Sequence, residues 1–380
     1  MLSIFKTFFA LGWVSFGGPA AHLGYFRHTF VDKLGWLSEQ QYAQFIALSQ
    51  FLPGPSSSQV GFAIGYHRGG IAGAWAAFLG FTLPSVLIML LLAGLSRHLW
   101  QTPLFAHITH GLKLLAIIVV ADACLTMYRN FCQQRVTGAL CIVTAVTISL
   151  APSLPSQLLL LLLAALVGQA YLAPTDLRSS ANFTPAWRPL ILFALLLFGL
   201  PICAASSSWL TLFSDFFQAG SLVFGGGHVV LPLLQSTFAD TLSSDQFLTG
   251  YAAAQAVPGP MFTLATYLGY LLHPDMPITA ALTATLAIFL PGFLLLLGVL
   301  KHWSNLAQRP KIAGAMHGVN ACVVGLLLAA LYQPIWSTTV YNPLDWSAIM
   351  VGFFLFKTLR VPLFAMVIGA LLFGLISSLV

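Results

Sequence analysis

Charge is what this sequence has least of. Only 6% of its 380 residues are Asp, Glu, Lys or Arg, and the acids number nine. A soluble domain carries roughly a quarter charged residues, so water could not solvate the surface of this chain, and a soluble enzyme or binding module is excluded. Cysteine is scarce as well: Cys124, Cys132, Cys141, Cys203 and Cys322 form no C-x-x-C pair. They read as small core residues rather than a disulfide framework or a metal centre. Catalytic signatures are missing too. No G-x-x-x-x-G-K-[ST], H-E-x-x-H or G-x-S-x-G occurs, and His107 and His110 have no acidic or cysteine neighbour to complete a metal site. No enzyme activity, metal or cofactor is therefore expected. The net charge of +6 is scattered through short loops. Such charges set membrane topology, and no nucleic-acid partner is expected.

What fills the chain is apolar. Hydrophobic residues make up 58%, and the mean hydropathy is +0.90. A membrane-spanning helix needs about 20 apolar residues, and several stretches reach that length. Barrel strands alternate every second residue, whereas Leu158 to Leu163 is apolar on every face. An all-α integral membrane protein is the expected class. The segment Met1 to Ala10, apolar with Lys6 inside it, imitates a signal peptide, but the motif after it recurs later and so belongs to the fold.

That recurrence runs through the chain. Phe16-Gly17-Gly18 returns as Phe224-Gly225-Gly226, an offset of 208 (224 − 16), and Pro53-Gly54-Pro55 as Pro258-Gly259-Pro260, an offset of 205 (258 − 53). Gln50 and Gln255 precede the second motif in each copy. Ser38, Gln41 and Tyr42 match Ser243, Gln246 and Phe247; Pro84 matches Pro291; His110-Gly111 matches His317-Gly318. Order and spacing are kept, so the chain is a duplication. Three parts are expected: a first repeat over 1–172, a polar linker plus connecting span over 173–208, and a second repeat over 209–380.

One linking span between halves with even numbers of crossings would turn the second half upside down. Loop charge agrees. The loop with Arg129 and Arg135 is basic, while its counterpart, Gln333 to Asp345, is acidic; Ala151 to Pro155 is uncharged, while its counterpart holds Lys357 and Arg360. Lys301, Arg309 and Lys311 mark a further basic loop, and basic loops face the cytoplasm. Lys6, Arg27, Lys33 and Arg68 prefer that side, Asp240 and Asp245 the other. Inverted-topology repeats with broken or re-entrant helices and one linking transmembrane helix are thus expected, an arrangement that puts a substrate site near mid-membrane. Hairpins at the Gly and Pro breaks would give nine full spans and four hairpins; breaks within full spans would give about thirteen.

The breaks are where chemistry is expected. Non-helical backbone at membrane depth survives only when buried in protein or lining a wet cavity. Pro55 and Pro260 fit the first turn of a helix, whose free amides and dipole attract anions. Ser56, Ser57 and Ser58 follow in one half and Thr263 in the other. Pro53, Gly54, Pro55, Ser56, Ser57 and Gln50, with Gln255, Pro258, Gly259, Pro260 and Thr263, therefore form a candidate cradle of neutral donors for an oxyanion. Gly17, Gly18, Gly225 and Gly226 are a second candidate element. Close helix packing is the competing account of these glycines. His22 and His228 follow the Gly-rich breaks and are candidates for proton coupling, against a purely structural role. Asp122, an acid inside a span, is a third coupling candidate. Lys113, nine residues from it (122 − 113), faces the opposite side of the helix, so no pair between them is expected, and snorkelling is the simpler account of Lys113. His110 and His317 read as boundary residues.

With those residues placed, the chain resembles the chromate ion transporter family in its long, two-domain form. The likeness lies in FGGPAAHLGYFR from Phe16, LSQFLPGPSSSQ from Leu48 and GFTLPS from Gly80, and in VFGGGHVVLPLLQ from Val223 and GYAAAQAVPGP from Gly250. It implies a multi-pass protein of the bacterial inner membrane that exports chromate, confers resistance, has halves of opposite orientation and couples to protons by antiport. Sulfate or another tetrahedral oxyanion is the alternative cargo. The expected partners are the small oxyanion and the lipid bilayer, and a homodimer is compatible with the sequence.

Overall fold

The computed structural model describes residues 1–99, 102–174, 185–204, 207–224, 230–238, 240–300 and 309–377. These are helical throughout, with no strand among them. The first half holds α1 (Leu2–Val14), α2 (Gly18–Phe26), which runs on as a π-helical stretch Arg27–Lys33, α3 (Glu39–Phe51), α4 (Ser56–Leu99), α5 (Pro103–Phe131), α6 (Arg135–Leu150) and α7 (Leu154–Tyr171). Helix α8 (Trp187–Ala204) links it to α9 (Ser208–Ser221), α10 (Val230–Phe238), α11 (Ser244–Ala256), α12 (Leu264–Leu272), α13 (Pro277–Val299), α14 (Pro310–Ala330), α15 (Pro343–Lys357) and α16 (Leu363–Ser377). Five helical stretches are long and apolar enough to cross a membrane: Ser56–Arg97, Phe105–Phe131, Trp187–Ala204, Pro277–Val299 and Pro310–Gln333. This is a multi-pass, all-α membrane protein.

Helix ends sit where glycine and proline demand them. Gly17 and Gly18, at φ 98° and 76°, turn α1 back into α2. The arms lie against each other through Phe8, whose ring stacks on Phe30 and meets Phe26 edge-on. Helix α3 starts at a capping box on Ser38 and stops before Pro53-Gly54-Pro55, with Gly54 at φ 119°. Helix α4 is two helices, since Gly69 and Gly70 depart from helical geometry. Its arms pack so tightly that a Cβ on Gly65 would lie 2.4 Å from the Gly73 carbonyl oxygen. The second half repeats the pattern: a capping box on Ser243 opens α11, Gly259 sits at φ 100°, and a 3-10 turn, Met261–Thr263, leads into α12. Repeated elements start at nearly constant offsets, 205 for α3 and α11 (244 − 39) and 207 for α5 and α14 (310 − 103).

The halves interlock rather than sit side by side. Helix α5 packs on α15 and α16 of the other half, and α14 packs on α6 and α7 of the first. Small residues make this possible. A Cβ on Gly111 would stand 2.1 Å from the Ala370 carbonyl oxygen, and one on its repeat mate Gly318 would stand 2.0 Å from that of Ala164. In hydrocarbon no hydrophobic force drives helices together, so close backbone approach and dispersion must do it. Helix α8 is the exception: none of its residues is buried. No disulfide links the five cysteines; Cys203 is exposed and the other four are buried. At one end of the bundle Arg27 donates to Glu39 at 2.9 Å, which holds that exposed carboxyl below its ordinary range.

Gly318→Val should therefore push α14 off α7 and destabilise the protein by roughly 3 kcal/mol or more. Gly199→Ala, on the open surface of α8, should stay within about 0.5 kcal/mol. Thermal unfolding of the two purified variants in one detergent checks both.

Candidate transport site

The two Pro-Gly-Pro breaks are held by the opposite half. Gly54 N–H donates to the Val223 carbonyl at 2.7 Å, and Gly259 N–H donates to the Ser15 carbonyl at 2.9 Å. Val223 and Ser15 are repeat mates (223 − 15 = 208), as are Gly259 and Gly54, so each turn is tied to the backbone just before the other half's Gly-rich break. These two amides are thus engaged across the halves. The donors left at the turn are the first-turn amides of α4, which have no carbonyl one helical turn back.

His22 completes the crossing. It is fully buried. Its Nε2 lies 3.0 Å from the Ser15 carbonyl, which can only accept, so Nε2 carries the proton; Nδ1 then accepts from the Ser57 hydroxyl at 3.1 Å. The Ser15 oxygen thereby takes both a histidine and a glycine donor. With both nitrogens occupied, His22 fits the structural role better than the coupling one. Gln59 does similar service, its Nε2 donating to the carbonyls of Pro53 at 2.8 Å and Gly292 at 3.2 Å.

Beside this crossing lies a cavity of about 990 Å³. It is lined from the first half by Gly17, Gly18, Gln50, Gly54, Ser56 and Asp122, and from the second by Gln255 and Gly259. Eight of the sequence-derived candidates thus share one space. Gln255 is buried; its side chain bonds Tyr251, and its enclosed Nε2 is an amide donor that the surrounding protein leaves unused. Pro53, Pro55, Ser57, Pro258, Pro260, Thr263 and His22 do not line the cavity. Ser57 is engaged by His22, and the Thr263 hydroxyl donates to the Pro260 carbonyl at 2.8 Å. Gly225, Gly226 and His228 lie outside the described residues.

Three lining residues escaped the sequence reading. His317, read as a boundary residue, opens onto the cavity, as does buried Asn320, whose Oδ1 has no partner. Arg360 lines it too. The repeat could have flagged the first two, since their mates His110 and Lys113 were already in view; nothing local marked Arg360.

Three ionisable side chains of α5, His110, Lys113 and Asp122, reach into the second half. Asp122 meets Lys357 Nζ at 2.5 Å, with the side chains 23% and 38% exposed. Lys113 is not snorkelling: it is buried and ion-paired to Asp245. His110 Nε2 bonds buried Asp345 at 2.7 Å, with Tyr341 stacked on its ring. As the sequence implied, Lys113 and Asp122 do not pair with each other.

The profile of the chromate transporter family matches residues 2–169 and 210–375. The chain belongs to the chromate transporter family. Among relatives, a chromate transport protein from Cupriavidus metallidurans is 28% identical over 97% of this chain and 91% of its own length. A probable chromate transport protein from Synechococcus elongatus is 29% identical over 86% and 82%. An uncharacterized transporter from Methanocaldococcus jannaschii is 27% identical over 98% and 94%. No solved structure matches at a significant level. These relatives are named as transporters, a non-enzymatic role.

The Asp122–Lys357 contact should behave as a tie between halves. Asp122→Asn and Lys357→Met are each expected to cost about 1 kcal/mol, in keeping with a partly exposed pair. The exchange Asp122→Lys with Lys357→Asp should recover most of it. A double-mutant cycle on melting temperature checks this, and strictly additive losses would remove the pair from the account.

Proposed function

We propose that the chain exports chromate from the cytoplasm across the bacterial inner membrane, driven by the membrane potential and/or proton antiport, and so confers chromate resistance. The observation that carries this reading is the cavity in which the breaks of both halves, an unpartnered Gln255 donor and the start of α4 converge. Such neutral donors suit a tetrahedral oxyanion that must be released again. Membership of the chromate transporter family and the relatives named as chromate transport proteins support that cargo. Sulfate has the same charge and shape, so it is expected to compete for the same donors.

The proposed architecture is two inverted repeats, 1–172 and 209–380, joined through 173–208. Two ion pairs support the inversion. Asp345 and Lys357 are twelve residues apart on α15, as are their partners His110 and Asp122 on α5 (357 − 345 = 122 − 110 = 12). Helices α5 and α15 therefore run parallel. Helix α6, the repeat mate of α15, follows α5 after only Cys132 to Gln134 and must run back. The mates α6 and α15 thus point opposite ways. With hairpins at the four breaks, this reading has nine full spans.

Sidedness follows from charge. Lys6, Arg27, Lys33, Arg68, Arg129, Arg135, Arg309, Lys311, Lys357 and Arg360 fall on one side of that topology and Asp240, Asp245, Asp275 and Asp345 on the other, which assigns the first side to the cytoplasm. The cavity, rimmed by Asn130, Phe131 and Arg360, then opens to the cytoplasm. On the far side the matching stretch of α5 is held shut by Lys113–Asp245 and His110–Asp345. Exchanging the conformations of the two repeats would break those pairs and open the opposite face, which is how inverted repeats alternate access.

Energetics favour this direction. Each charge moved is worth about 2.3 kcal/mol per 100 mV, so a dianion leaving a negative interior gains about 4.6 kcal/mol, more than a thousandfold in concentration. Everted vesicles containing the protein should therefore accumulate chromate when energised and lose that accumulation when the potential is collapsed. Undiminished accumulation after collapse would overturn the electrical drive, and none at all would overturn the transport reading. Gln255→Leu should raise the chromate KM about 10- to 100-fold, the loss of one hydrogen bond to a charged group. A cysteine placed at Gln50 in a cysteine-free background should react with a membrane-impermeant thiol reagent only from the cytoplasmic face; labelling from the periplasm alone contradicts the assigned orientation.

A further inference from the structure

Among the described residues, one non-glycine residue has a left-handed backbone: Arg360, at φ 54°. It follows the end of α15, where the chain folds back so that Val361 N–H reaches the Leu355 carbonyl at 3.1 Å. Glycine is the default at such a position, because a side chain there crowds its own backbone. Arginine is a costly choice unless its side chain serves a purpose. The side chain is not spent on packing or on an ion pair: Arg360 is exposed, lines the cavity, and has no carboxylate within ion-pair distance among the described residues. Asp122, the one acid among the described residues that line the cavity, is already matched by Lys357, so the charge of Arg360 is left over.

We propose that Arg360 captures the oxyanion at the cytoplasmic mouth of the cavity, ahead of the neutral donors deeper inside. This rests on the oxyanion-transport reading above and adds to it the residue that sets charge selectivity and capture rate. An unmatched cation at the mouth of a low-dielectric cleft raises the local concentration of anions. Guanidinium also presents paired N–H donors that match two oxygens of a tetrahedral anion, which an ammonium group does not. Placed at the rim, the charge speeds entry without having to be stripped from the anion at mid-membrane.

The test separates charge from backbone. Arg360→Gly relieves the left-handed strain and deletes the charge, so it should melt at or above the parent temperature. It should raise the chromate KM about tenfold at low ionic strength, as expected for loss of electrostatic capture, with kcat little changed. Raising the salt should shrink the gap to about twofold by screening. Arg360→Lys should fall between parent and glycine variant, and Arg360→Gln should match the glycine variant in KM. An unchanged KM in Arg360→Gly, a loss confined to kcat, or an effect indifferent to salt overturns the proposal. If the parent protein moves no chromate, the transport reading fails first. Capture is then read from thermal stabilisation of the purified protein by chromate or sulfate, which Arg360→Gly must weaken for the proposal to stand.

Discussion

Hydrocarbon offers no hydrogen bonds, and this fold is arranged around that fact. Every helix interrupted at membrane depth leaves carbonyls and amides that must find partners inside the protein or in a wet cavity. Here the interruptions satisfy one another. The Ser15 carbonyl, orphaned at the first Gly-rich break, is taken by Gly259 from the other half and by His22, while Val223 takes Gly54 in return. Pairing of these backbone groups brings the two Pro-Gly-Pro turns against the chain at Val223 and Ser15. A cavity beside that place follows, since the remaining first-turn amides and the Gln255 side chain still need something polar to face.

Small residues do for the helices what the crossings do for the breaks. Gly111, Gly168, Gly318 and Gly374 let α5 and α14 each press against helices of the opposite half at backbone distance. Neither half could then fold as a finished unit, because α5 and α14 each complete the opposite half. Motion between the halves must pass through these contacts. On the proposed transport reading, the ion pairs rather than the glycine seams are the contacts able to break and reform, since charged groups can exchange protein partners for water.

Much of this was legible in the sequence, for definite physical reasons. The duplication, the hairpin turns at Gly17-Gly18 and Pro53-Gly54-Pro55, and the shared capping boxes at Ser38 and Ser243 are local features that glycine, proline and serine impose on any chain. The grouping of Gln50, Gln255, Gly54 and Gly259 followed from the repeat. What escaped was tertiary. That the Gly54 and Gly259 amides are consumed across the interface, that Ser57 turns to His22 rather than to the cavity, and that Lys113 finds Asp245 all depend on which helix lies next to which, and helical period carries no such information. Arg360 was invisible for the same reason: it reads as one basic loop residue among several until the cavity is seen to open at its side.

The scaffold was duplicated, but its charges were not. Asp122 corresponds to Ala329, Lys357 to Ser149, Lys113 to Asn320, Asp245 to Gln40 and Asp345 to Thr137 at the offsets that relate the repeats. The backbone elements thus recur in nearly the same order and spacing in the two halves, whereas the charges do not. On α5, Lys113 and His110 are engaged by Asp245 and Asp345, while at the matching positions of α14 Asn320 and His317 line the cavity. On the proposed export reading, paired charges at one end and neutral side chains beside an arginine at the other give the two conformations unequal energies, and so unequal rates of interconversion. Net direction comes from the membrane potential acting on the dianion, because a difference between gates cannot by itself move an equilibrium between the two sides.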